Sequence, residues 1–143
     1  MTKKIRIILF SLAPLLGSSV LHALPPGSEE PDTIQSYAIC AAAEQVHVHF
    51  LERDIPLFGR DSDEREFLKK HRRAHKKELK YFEKQLHKNT SEQQASELVA
   101  VEKNNVLAAL ETQRVGDDVV ATDELRKVKL DEWYTDFCQS IKL

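Results

Sequence analysis

Residues 61–88 read DSDEREFLKKHRRAHKKELKYFEKQLHK, with no glycine or proline among them. Asp61 with Glu64 three positions on has the form of a capping box, so the stretch predicts a helix of about 26 residues ending near His87. At about 100° per residue, Leu68, Leu79, Phe82 and Leu86 share a narrow arc. Arg65, Lys69, Lys70, Arg72, Arg73, Lys76, Lys77, Lys80, Lys84 and Lys88 gather in a separate arc of about 160°. A helix this long, apolar along only one side, must lay that side against other helices.

The flanking sequence supplies them. Ile34 to Arg53 contains no breaker, and Ile34, Tyr37, Ala41, Val48 and Leu51 recur at helical intervals, which predicts a first helix from Asp32 or Thr33. Ile55-Pro56-Leu57-Phe58-Gly59 ends it. Thr90 with Gln93 marks a third start, followed by Ala95, Leu98, Val101, Val106, Ala109 and Leu110. That helix runs over roughly 91–114 and stops at Gly116-Asp117-Asp118. After Thr122, Leu125, Leu130, Tyr134, Phe137 and Ile141 define a last helix, with Trp133 alongside. No strand pattern occurs. The expectation is an all-α, antiparallel four-helix bundle over residues 24–143, with 24–31 as an irregular lead-in. A three-helix arrangement with one helix split is the structural alternative.

The chain has 143 residues, 41% of them hydrophobic, which suits one domain and excludes wholesale disorder. Lys3, Lys4 and Arg6 precede an apolar stretch from Ile7 to Leu16, and the segment closes on Leu21-His22-Ala23. This is the pattern of a secretory signal peptide cleaved near Ala23. The apolar stretch falls short of the roughly 20 residues a membrane span needs and is interrupted by Pro14 and Gly17. The short basic start and apolar core are of bacterial type, giving a periplasmic or secreted address.

Cys40 and Cys138 are the only cysteines. In an exported chain such a pair is expected to form a disulfide, here joining the first and last helices. Closing a loop of about 100 residues stabilises by roughly 3 to 5 kcal/mol. A redox-active pair would favour a Cys-x-x-Cys spacing, which is absent.

The net charge of −2 conceals a polarity. Residues 65–88 sum to +7, residues 24–64 to −7 and residues 89–143 to −5. A solvated outer face needs no such segregation, because interspersed signs dissolve a helix without repulsion between neighbouring lysines. An acidic protein or an anionic envelope component would relieve that repulsion and be steered to the face. Nucleic acid is disfavoured by the address and by the scarcity of aromatics near the cluster for stacking.

Five histidines follow the leader. His71 and His75, spaced i, i+4, lie in the apolar arc of the second helix with Leu68 and Phe82, so both are expected to point inward. Glu44 and His47 form a Glu-x-x-His pair on the first helix at the same level. A divalent metal held by Glu44, His47, His71 and His75 is geometrically conceivable. Against it stand the single Glu-x-x-His motif and the flanking Lys70, Arg72, Arg73 and Lys76. The same histidines could instead pack, or respond to acid by charging near pH 5 to 6. Gly-rich phosphate loops, Gly-x-Ser-x-Gly and His-Glu-x-x-His are all missing, so there is no catalytic signature to follow. The sequence therefore supports a periplasmic binding protein acting through the cationic helix face, with a metal-binding or pH-sensing envelope protein as the alternative.

Overall fold

Ala38 to Ala43 form a run in which every residue is buried. A helix buried on all sides belongs at the centre of a fold, and its small side chains let three neighbours approach closely. The computed structural model, which describes residues 24–142, places it there. Helix α1 spans Thr33–Asp54, and its start is capped by Asp32, whose carboxylate accepts from the backbone N–H of Gln35. A 3-10 turn, Ile55–Leu57, leads to α2, Asp63–Asn89. Helix α3 covers Glu92–Glu111 and α4 Val119–Ser140. The described residues are all-α, and the signal peptide read at residues 1–23 lies outside them.

Three helix starts differ from the sequence reading. Ser62, not Asp61, caps α2 by accepting from Arg65 N–H, which leaves Asp63, Glu64 and Glu66 in the first turn, where carboxylates favour the helix dipole. Ser91 and Gln94, one residue beyond Thr90 and Gln93, make the capping box of α3. Asp118 caps α4, so the helix begins at Val119, earlier than the Thr122 boundary, although Val119 and Val120 are 79% and 74% exposed. Apolar periodicity could not mark a first turn that covers no core. Gly116, at φ 52°, reverses the chain before it, a backbone conformation that L side chains seldom adopt.

All three other helices rest on α1, whereas the backbones of α2 and α4 do not come close to one another, and Lys142, just past α4, reaches Glu78 of α2 at 2.7 Å. The short link over 55–62, with the Glu44–His75 contact farther along both helices, sets α2 antiparallel to α1. Cys40–Cys138 at one end and Arg53–Asp123 at the other set α4 antiparallel to α1 as well. The core between them contains Phe82, Leu86, Val106, Leu110, Leu130, Trp133 and Phe137. Each large side chain of this kind stabilises by about 1.5 to 3 kcal/mol on burial. Val101, expected on the apolar side of α3, is 56% exposed, so the core stripe of that helix is narrower than its sequence suggests. The disulfide joins α1 to α4, first helix to last. No described helix is long and apolar enough to cross a membrane.

Candidate functional site

Two features stand out, on opposite flanks of α2. The first is its cationic face. Phe82 and Leu86 are buried while Lys70, Arg73, Lys76, Lys77, Lys80, Lys84 and Lys88 are exposed, and Arg65, Lys69 and Arg72 are half-buried beside them. Ion pairing uses little of this charge. Lys69 meets Glu66 at 2.7 Å and Lys76 meets Glu52 at 2.9 Å. Hydrogen bonding to Lys76, with the charges of Lys76 and Arg72 adding to it, holds the Glu52 carboxyl below the ordinary carboxylate range. Arg65 donates through Nη1 to the Phe58 carbonyl at 3.1 Å, which ties the start of α2 to the preceding turn. Among the described residues, Lys70, Arg73, Lys77, Lys80 and Lys84 have no carboxylate within salt-bridge distance.

The second feature is the histidine pair between α1 and α2. His75 Nδ1–H donates to Glu44 Oε2 at 2.5 Å, and the Glu44 side chain is buried. The His47 ring lies on that of His75, with centroids 4.3 Å apart and planes 13° from parallel. Burial, and then the charge on His75, push the His47 pKa down to about 3, against a smaller opposing pull from Asp131.

His71 departs from the expectation that both α2 histidines point inward. It is exposed and packs on Phe67, with centroids 4.3 Å apart, while its ring centre stays 6.5 Å from that of His75. The structure thus brings together Glu44, His47 and His75 and leaves His71 at the rim. Ring nitrogens present their lone pairs in the ring plane, so two stacked imidazoles direct them along parallel planes rather than to a common point. Glu44 already occupies Nδ1 of His75. Among the described residues no group of three or more His, Cys, Asp or Glu is arranged to hold a metal ion.

Beside this pair, where α2 and α4 stay apart, a cleft of about 710 Å³ opens between α1, α2 and α4, with His47 and His75 in its lining. Sequence reasoning missed it. Its signals were Phe67, an aromatic residue outside both the apolar and the basic arcs of α2, and Phe58 in the turn. On the α4 side Lys127 Nζ contacts Asp54 at 2.7 Å, Glu124 at 2.9 Å and Asp123 at 3.2 Å. These three carboxylates outweigh the cost of partial burial and raise the Lys127 pKa. Arg53 closes the network with a two-pronged contact to Asp123, at 2.8 and 2.9 Å.

No protein family, curated protein or solved structure matches this chain.

Proposed function

We propose that this chain is an exported, periplasmic helical binding protein whose cationic α2 face engages an acidic protein or an anionic component of the envelope. The observation that carries the reading is the row of exposed cations on that face, Lys70, Arg73, Lys77, Lys80 and Lys84, unpaired among the described residues, in a molecule otherwise acidic. Their mutual repulsion costs a few tenths of a kcal/mol per close pair, and an anionic partner would remove it. The leader pattern, the disulfide and the absence of a membrane-crossing helix among the described residues are compatible with export.

The test uses the oxidised protein against immobilised polyglutamate and against vesicles with and without anionic lipid. Salt-sensitive binding to either anionic surface, lost in an Arg73→Glu, Lys77→Glu, Lys80→Glu, Lys84→Glu variant of unchanged helicity, supports the reading and tells the two partner classes apart. Equal binding by the variant, or none by the parent protein, rejects it.

A second reading rests on the stacked histidines: a protein that responds to acid by loosening α1 from α2. It is supported by His47, which must take up a proton against burial and the charge of His75.

A further inference from the structure

We infer that the cleft between α2 and α4 is a binding site for a cationic amphiphile, a protonated amine carried on an apolar or aromatic body. This goes beyond the proposed role of the cationic face, which lies on the other flank of α2, and does not depend on it.

The size and walls define the body. About 710 Å³ is within the range of small-molecule sites, and Phe50, Leu51, Leu68 and Leu130 line the interior. Phe58 and Phe67, 38% and 61% exposed, belong to the same lining. Aromatic rings left this open at a cleft lose hydrophobic stabilisation until an apolar group covers them.

The charges define the head. Asp63 and Glu64, in the first turn of α2, line the cleft exposed and without an ion pair among the described residues. Glu124 faces them from α4, its side chain 65% exposed. The cleft's one lysine, Lys127, is already surrounded by Asp54, Asp123 and Glu124. His47 adds no positive charge near neutral pH, and His75 is engaged by Glu44. A carboxylate or phosphate head would therefore meet carboxylates with no free cation to receive it. An ammonium group would meet two carboxylates that are unpaired among the described residues, in a cleft also lined by the exposed rings of Phe58 and Phe67.

Three probes with one body and three charges test this: 2-naphthylmethylammonium, 2-naphthylmethanol and 2-naphthoate, titrated into the oxidised protein by fluorescence and calorimetry. The expected order is saturable one-to-one binding of the amine, weaker binding of the alcohol and weakest binding of the carboxylate. An Asp63→Asn, Glu64→Gln variant weakens the amine by about two- to five-fold, the worth of exposed ion pairs, and leaves the alcohol unchanged. Glu92→Gln and Glu97→Gln on α3 change nothing. Leu68→Trp fills the cleft and removes all three probes from a protein of unchanged helicity. Naphthoate binding as tightly as the amine overturns the charge assignment. Saturable binding of none of the three, or binding that survives in folded Leu68→Trp, overturns the site.

Discussion

His47 lies flat on His75, ring centroids 4.3 Å apart, while His75 donates its Nδ1–H to the buried Glu44. The stack joins α1 to α2 through groups that would repel if both carried a proton. Glu44 supplies negative charge to His75, and His47, without such a partner, remains neutral.

From this follows an acid dependence of known sign. The His47 pKa is about 3 in the folded protein against 6.5 for the free side chain, so the unfolded chain binds more protons between those values. The contribution of His47 is complete above about pH 6.5 and is lost as pH falls toward 3, at up to about 1.4 kcal/mol per pH unit. His47→Phe keeps a ring on His75 and removes the titration. Urea unfolding across pH 4 to 7.5 is expected to show a flatter stability profile for the variant, and parallel profiles would refute the assignment.

Glu44 is the other half of the arrangement. Glu44→Ala leaves the half-buried His75 nitrogen without its acceptor, a loss of about 1 to 3 kcal/mol. Glu44→Gln retains an oxygen that can accept and is expected to lose less. Unfolding midpoints of the two variants, measured together, separate loss of the hydrogen bond from loss of the charge; equal destabilisation would mean that the charge alone matters.

Periodicity carried the helices because a covered stripe repeats every three to four residues, and α2 shows it with Leu68, Leu79, Phe82 and Leu86. Helix starts were less legible. Ser62, Ser91 and Asp118 cap through single side-chain contacts, and a neighbouring Asp61 or Thr90 offers nearly the same chemistry one position away. The cationic face was readable because charge segregation is a property of one helix. The cleft was not, because it exists only where α2 and α4, far apart in sequence, fail to meet on α1. His71 was misplaced for a related reason. The projection put it in the apolar arc, but nothing in α2 alone says how far that arc is covered by its neighbours.

The Cys40–Cys138 bond closes the chain over a separation of 98 residues. Its loss is expected to cost roughly 3 to 5 kcal/mol, chiefly through the greater freedom of the unfolded chain. Replacing both cysteines by alanine should lower the thermal midpoint by about 10 °C or more in calorimetry. The helical content of the folded state should be preserved, because α1 remains packed against three helices. A midpoint unchanged by reduction or by the double substitution would assign the bond no part in stability.

Arg126 holds the junction between α3 and α4 by a means that lysine cannot copy. Its Nε donates to the carbonyls of Leu110 at 3.0 Å and Gln113 at 3.2 Å, and its Nη2 reaches that of Glu111 at 3.4 Å. Helix ends leave carbonyls without intrahelical partners; here Leu110 O also accepts from the Gln113 backbone N–H at 3.0 Å, and a positive group there favours the dipole. A planar guanidinium spreads its donors over three acceptors at once, whereas an ammonium concentrates them at one point. Arg126→Lys is therefore expected to cost about 1 kcal/mol and Arg126→Ala about 1 to 3 kcal/mol. Hydrogen exchange localises the effect: amides near the end of α3 and the start of α4 should lose protection first, while those of α1 around Cys40 hold theirs. Protection lost evenly along the chain would show that Arg126 supports global stability rather than this junction.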